Sequence, residues 1–318
     1  MSAGESIQAT GSEFGRLIVV LGPTASGKSS LGLSLAQRLG GEILVCDSTQ
    51  AYRYFDIGTA KVPAPEQRGI AHHLTDLVEP DQVFTAGDYR RQVLVVLEDL
   101  RRRRKVPVIT AGTGLYLRAL LDGLAEAPAR SEELRERLRE TVRDRGAEYL
   151  HRILARLDPE TAARIAPRDT QKVIRAIEMR ILAKQPVAEI HRAGREPLKG
   201  YQVTKIGLLP ERAALYARID ARVRSMLAAG WVGEVEKLIA MGIPAGAKPF
   251  QFIGYSELRE HVLGRMPLEA AVAKIQQATR NFAKRQITWF RRESGVKWLS
   301  GLGDDPAIAA EAIALAAH

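Results

Sequence analysis

The chain has 318 residues, 46% of them hydrophobic, with a net charge of +10, a pI near 9.8 and one cysteine, Cys46. That length can bury a main domain plus a smaller insertion, while the short apolar runs, the polar start and the lone cysteine exclude a membrane span, a secretory signal, disulfides and thiolate metal clusters, so a soluble cytoplasmic protein is expected. So large a positive charge favours a polyanionic partner.

Residues 1–14 read as a flexible tail. Leu17 to Leu21 is a short β-branched run, and Gly22-Pro23-Thr24-Ala25-Ser26-Gly27-Lys28-Ser29 follows it with the G-x-x-x-x-G-K-[ST] spacing of a phosphate-binding loop. The glycines let successive backbone N–H groups turn toward one anion, and the helix opening near Lys28 adds the positive end of its dipole. Lys28 brings a mobile positive charge and Ser29 a hydroxyl suited to Mg²⁺. The pattern implies a diphosphate or triphosphate ligand without saying what carries it.

Glu42 to Cys46 predicts a second strand, ending on Asp47-Ser48-Thr49-Gln50 where a parallel sheet opens into its ligand crevice. Ala51 to Pro80, punctuated by glycine and proline, reads as an excursion over that face. The spacing of Tyr89, Val93, Val96, Leu97 and Leu100 predicts a helix over 85–104 with Thr85 as its cap, followed by a strand at Val106 to Thr110 and a helix opening at Leu115. Repeated strand–helix units imply an α/β fold with a parallel, doubly wound sheet flanked by helices. From 126 to 200 strand-like runs disappear and arginine and glutamate become dense, which predicts an all-helical insertion domain; the core then comprises 15–125 and 201–300. Tyr201 to Leu209 returns to the sheet. Ala213 to Met241 and Leu268 to Arg292 are expected helices, Lys297 to Leu299 a short strand, and 301–318 a C-terminal helix or tail.

Several separated motifs, GPTASGKS, DSTQAYRYFDIGTAK, AHHLTDLVEPDQVFTAGDY, AGTGLYLRALLDGL, QKVIRAIE, FIGYSEL and FAKRQITWFRR, resemble the bacterial tRNA dimethylallyltransferases over about Leu17 to Trp298. Ala111 and Thr170 depart from the usual glycine and proline, which touches local backbone shape rather than chemistry. The resemblance implies a P-loop kinase-like core with a helical insertion contacting tRNA, and transfer of a dimethylallyl group from dimethylallyl diphosphate to N6 of the adenosine (position 37) next to the anticodon. It assigns the loop and Arg222 to the diphosphate, with Mg²⁺ near Ser29.

The exocyclic amine of adenine is a weak nucleophile and must lose a proton as its new bond forms. Asp47, at a strand end beside the loop, is suited to accept that proton or to hold Mg²⁺ as a Walker-B aspartate does; the resemblance favours the base. Thr113 matches a residue that touches the target nucleotide and assists at the reacting centre. By the same matching, tRNA contacts fall on Asp47, Ser48, Thr49, Gln50, Thr113, Arg135, the run Gln171, Lys172, Val173, Ile174 and Arg175, the run Gln251, Phe252, Ile253, Gly254, Tyr255 and Ser256, and Arg280 and Lys284 of a basic helix. A monomer is expected. His72-His73 looks like a metal pair, but without nearby cysteine and with diverging side chains a structural role is expected. A small-molecule or nucleotide kinase would use the loop but leave the basic insertion and KRQITWF idle. Prenyl transfer to free nucleotides would leave the insertion idle too, and a GTP switch lacks its NKxD motif.

Overall fold

The structure is a computed structural model describing residues 15–125, 128–192 and 195–317; the expected tail at 1–14 lies outside them. The described residues form two compact units, 15–120 with 199–317, and those within 121–198.

The first unit is built on a six-stranded, all-parallel sheet. In chain order its elements are β1 (Gly15–Leu21), α1 (Lys28–Leu39), β2 (Glu42–Cys46), β3 (His72–His73), α2 (Ala86–Arg102), β4 (Pro107–Ala111) and α3 (Gly114–Leu121). The second unit then intervenes with α4 (Glu132–Arg145), α5 (Ala147–Leu157), α6 (Pro159–Arg164), α7 (Thr170–Ala183) and α8 (Val187–Arg192). The first unit resumes with β5 (Tyr201–Leu208), α9 (Arg212–Ala228), α10 (Trp231–Ala240), α11 (Tyr255–Val262), α12 (Leu268–Phe290), β6 (Val296–Leu299) and α13 (Pro306–Ala317). Among the described residues no helix is long and apolar enough to cross a membrane.

The strand order is β3-β2-β4-β1-β5-β6. From β1 the chain passes to β2, two places away, and only later fills the gap with β4. That reversal makes a topological switch point, where the carboxyl ends of strands leave room for a ligand. Leu21 pairs with Ala111, and Ala111 with Cys46, so Gly22, Asp47 and Gly112 emerge side by side at one sheet edge. Strands buried on both faces are continuous apolar runs; Leu17 to Leu21 are all fully buried. Ile18, Val20, Ile43, Val108 and Ile206 form one core with Leu31 and Leu35 of α1 and Ile308, Ala312 and Ala316 of α13, so the alanine-rich end is a packed helix.

One expectation needs correction. The single helix over 213–241 is two, because Ala229 leads into Gly230 at φ 97°, a left-handed turn that ends α9 and starts α10. The stretch between 242 and 268 contains α11, whose Tyr255 and Leu258 bury in a second core with Phe55, Trp231, Phe250 and Ile275. Thr85 caps α2 as expected, in a reciprocal capping box with Asp88.

The histidine pair belongs to the sheet. His72 and His73 form the edge strand β3; His72 Nδ1 lies 3.0 Å from the Ile70 carbonyl and His73 Nε2 2.7 Å from Glu42 Oε2. Arg103 donates to both Glu42 oxygens, one bond at 2.9 Å. These hydrogen bonds, that of Arg103 foremost, hold the Glu42 carboxyl at about 2 despite its burial. Because the folded value lies below that of the unfolded chain, the stabilisation is complete above the ordinary glutamate range and disappears as pH falls toward 2. Glu42→Gln is therefore expected to cost about 1–3 kcal/mol at pH 7, read as a lower denaturation midpoint, and the gap to the unmodified protein should close by about pH 2. A gap independent of pH would show that the charge of Glu42 contributes nothing.

The second unit is a helical cluster around Leu138, Leu150, Leu154, Val173, Ile177 and Ile190. Glu178 is fully buried there. Arg135 donates to it at 2.9 and 2.8 Å, Arg175 donates to it as well, and the Ser131 N–H adds a third partner at 2.8 Å. Burial alone would raise the Glu178 carboxyl, but these bonds outweigh it and bring it down to about 2.

Candidate active site

The phosphate loop turns between β1 and α1 as its glycine spacing requires. Gly27 takes φ 88° and caps α1, and the Leu31 N–H donates to the Gly27 carbonyl at 3.0 Å. Lys28 folds back so that Nζ donates to the Pro23 carbonyl at 2.7 Å. Burial and the nearby Arg222 guanidinium lower the Lys28 ammonium to about 7, against the opposing pull of Asp47. Arg222, reaching in from α9, is itself lowered by burial, with Asp47 again holding it up. Two cations and one carboxylate thus share a poorly solvated space, and an added anion would relieve their mutual repulsion.

Asp47 stands at the end of β2. Its Oδ1 accepts from the Thr49 N–H at 2.9 Å and the Thr49 hydroxyl at 2.7 Å, which fixes the carboxylate while Oδ2 faces Gly112, 2.6 Å from where a Cβ would stand. The Gly112 and Thr113 N–H groups both donate to the Cys46 carbonyl at 3.0 Å, and Thr113 Oγ1 accepts from the Ser48 N–H at 3.0 Å. The ends of β2 and β4 are thereby stitched together. Cys46 lies fully buried behind them, its thiol pushed up to about 12 by burial, which leaves it inert.

A cavity of about 540 Å³ opens over these groups. Thr24, Asp47, Thr113 and Arg222 line it on the polar side, Ile219, Val223, Phe282 and Trp289 on the apolar side. It pairs an anion-binding end with room for a short hydrocarbon and a carboxylate at the junction, which suits displacement of a phosphate leaving group.

The DIGTAK segment frames the cavity rather than reacting in it. Glu234 of α10 accepts from the Asp56 and Ile57 N–H groups at 3.1 and 2.7 Å, and Tyr255 donates to Glu234 at 2.6 Å while accepting from the Gly58 N–H at 3.0 Å. Gly58 is required by contact, since a Cβ would stand 2.3 Å from the Trp231 indole nitrogen. Lys61 ties the segment off on Asp56, Asp76 and the Tyr52 carbonyl.

At the loop's back, residues after β6 close in. The Gly303 N–H donates to the Ser26 carbonyl at 2.8 Å, a Cβ on Gly27 would stand 2.7 Å from Gly303 N, and a Cβ on Gly303 would stand 2.5 Å from Gly27 O. Next to it, Arg218 of α9 donates to both oxygens of Asp304 at 2.6 and 2.8 Å.

The expected site residues divide. The loop, Asp47, Ser48, Thr49, Thr113, Arg222, Gln251, Phe252 and Ile253 gather in the first unit around the cavity or directly beside it. Gln50 turns away, donating to the Thr59 carbonyl at 3.0 Å. Tyr255 is fully buried on Glu234, Val173 is fully buried and Ile174 nearly so in the helical core, so the side chains of these three serve packing rather than an RNA-facing surface. A Cβ on Gly254 would stand 2.0 Å from Trp231, which makes it a packing position too. Arg135 and Arg175 serve Glu178, and Arg280 donates to Asp220 at 2.6 Å; Gln171, Lys172 and Lys284 are exposed. Sequence reasoning missed Gln286, buried on the same stripe of α12 as Ala283 and Phe290. A polar residue at apolar helical spacing was the available signal.

The family model for IPP transferase matches residues 50–293. A tRNA dimethylallyltransferase of Koribacter versatilis is 50% identical over 297 residues, 93% of this chain and 96% of that one; another, of Solibacter usitatus, is 50% identical over 92% and 95%. The crystal structure of the tRNA isopentenylpyrophosphate transferase of Bacillus halodurans superposes with a TM-score of 0.69 at 34% identity, covering 95% of this chain and 94% of that one. A eukaryotic dimethylallyltransferase, described as acting on tRNA, gives a TM-score of 0.79 at 25% identity, covering 92% and 75%.

Proposed function

Because this chain belongs to the IPP transferase family, we propose that it transfers a dimethylallyl group from dimethylallyl diphosphate to N6 of adenosine 37 in tRNA, releasing diphosphate. The observation that carries this reading is the cavity in which Thr24 of the phosphate loop, Arg222, Asp47 and an apolar wall meet, with Lys28 close enough to feel both charges. The C1–O bond of the donor breaks as the C1–N6 bond forms. Lys28 leaves the Pro23 carbonyl to meet the diphosphate, and with Arg222 and the loop amides it takes up the charge left on the departing oxygen. Asp47, its Oδ1 held by Thr49, accepts the N6 proton on its other oxygen. Thr113 orients the adenine. The base must leave its stack to reach this depth, as a loop nucleotide can.

Among the described residues no group of three or more His, Cys, Asp or Glu could hold a metal, and Ser29, exposed in the first turn of α1, offers one hydroxyl. Ser29 would hold a Mg²⁺ that arrives with the diphosphate, and the ion would supply neutralisation of leaving-group charge.

Labelled dimethylallyl diphosphate or γ-labelled ATP, each with and without tRNA, tests the reading. Prenyl label moving to tRNA supports it. Phosphate label moving to a small molecule would support the kinase instead.

The charge of +10 is assigned to the RNA. Affinity for tRNA should fall roughly 10³-fold or more between 50 and 200 mM salt if six or more phosphates are met. Lys284→Ala should flatten the log–log slope by about one. Arg280→Ala should do less, because Asp220 already neutralises Arg280. A filter-binding series in which salt has no effect would disprove the assignment.

A further inference from the structure

β1 and β4 run side by side only as far as Leu21 and Ala111. Beyond that pair the phosphate loop departs on one side and Gly112-Thr113 on the other, and no sheet hydrogen bond joins them. Yet the transfer step depends on their separation. The loop holds the end of the donor that leaves, while the ends of β2 and β4 hold the groups that orient and deprotonate the acceptor.

One side chain spans the gap. Gln286 Oε1 accepts from the Thr24 N–H at 2.7 Å, and Gln286 Nε2 donates to the Gly112 carbonyl at 2.7 Å. Its partners are a donor and an acceptor, so the orientation of the carboxamide is fixed by chemistry. The residue is 6% exposed. Its neighbours Ala283 and Phe290 on α12 are buried and apolar, so packing alone would have been served by leucine or methionine. A polar group kept at such a position costs desolvation unless both its ends are satisfied, and here both are, by the two segments that carry the donor and the acceptor groups.

We propose that Gln286 is a positioning residue for the transfer step, a strut that fixes the phosphate loop at a set distance from Gly112-Thr113 and Asp47. It lines the cavity, but both ends of its carboxamide are taken up by backbone groups, so it acts through the segments it joins. It also holds the Thr24 N–H in place before any donor arrives, so the loop's curvature does not have to be organised by the ligand. Small misplacements of reacting groups cost about 10²-fold in rate. Loss of the strut should therefore appear in the chemical step rather than in binding.

The inference rests on the proposed transfer, and two variants test it. Gln286→Met keeps size and removes both hydrogen bonds. Gln286→Glu keeps shape, and its protonated form makes both bonds, with the carbonyl accepting from Thr24 and the O–H donating to Gly112. Once ionised it faces the Gly112 carbonyl and the Asp47 carboxylate with lone pairs alone. Burial and Asp47 push the introduced carboxyl up, whereas Lys28 of the loop, Arg222 of α9 and Arg285 of its own helix pull it down.

Single-turnover transfer with both substrates saturating should fall about 10- to 100-fold in Gln286→Met at every pH, with the donor dissociation constant changed less than threefold and the denaturation midpoint by only a few degrees. The Gln286→Glu rate, expressed as a ratio to the unmodified enzyme at the same pH, should rise as pH falls from 8.5 to 6. Rates within threefold of the unmodified enzyme would overturn the proposal, as would a loss confined to donor affinity or a Gln286→Glu ratio that falls as pH is lowered. If Gln286→Met does not fold, the Gln286→Glu profile decides alone. Failure of the unmodified enzyme to move prenyl label to tRNA would overturn the proposed function instead.

Discussion

Asp47→Asn is expected to lower the single-turnover rate of transfer by about 10²- to 10⁴-fold, the usual worth of a positioned base. The amide oxygen can still accept both bonds from Thr49, which now hold Oδ1 at 2.9 and 2.7 Å, so the loop after β2 should keep its shape. What disappears is the second carboxylate oxygen as a proton acceptor and the negative charge that both Lys28 and Arg222 feel. Loss of that charge should leave diphosphate binding unchanged or tighter, since two cations lose their internal counter-ion. A Walker-B role predicts the reverse: weaker donor binding and recovery of the rate as Mg²⁺ is raised. Transfer measured across a Mg²⁺ series separates the two. Near-normal turnover, or rescue by the metal, would remove Asp47 from the base role.

Lys28→Ala should reduce kcat/KM for the donor by about 10²- to 10³-fold, the cost of deleting one stabilising donor from a leaving-group or oxyanion site. Affinity for tRNA should be unchanged, because Lys28 is folded back onto the Pro23 carbonyl within the loop. Arg222 cannot substitute for it. The guanidinium comes from α9 rather than from the loop and already feels the pull of Asp47. If Lys28→Ala instead abolishes a fast, tRNA-independent ATP hydrolysis, the loop is a nucleotide site and the transferase reading fails.

Local signals carried most of the fold. β1, β2, β4, β5 and β6 fall on the apolar runs that predict them, within a residue or two at each end, and α2 starts on its Thr85 cap. The P-loop spacing and the polar residues after two strands pointed to the sheet edge where the cavity opens, because a parallel sheet leaves room for a ligand at such ends. Three kinds of feature were not legible. The break at Gly230 hides in an otherwise periodic stretch, since a single glycine is compatible with a continuing helix until tertiary packing chooses a turn. α11 is short, and its apolar residues bury against Phe55 and Trp231, which are distant in sequence. The roles of charged residues were least visible. Arg135, Arg175 and Arg280 look like phosphate ligands in a basic sequence, but whether an arginine is already spent on a carboxylate depends on Glu178 and Asp220, and that is decided by folding rather than by spacing.

The contact of Gly303 and Asp304 with the back of the phosphate loop has a consequence for how the enzyme is born. The loop is synthesised long before Gly303, and its strand and helix can begin to form first. Its backing emerges only after the helical unit, β5 and the long helices, a delay of tens of seconds at ordinary elongation rates. During that interval the Ser26 carbonyl has no Gly303 N–H to receive and Arg218 no Asp304 to meet. A growing chain therefore passes through a stage with a loop but without a rigid one, and a tight hold on prenyl diphosphate arrives late in synthesis. Nascent chains arrested before and after residue 304 should differ in their protection of the loop from proteolysis.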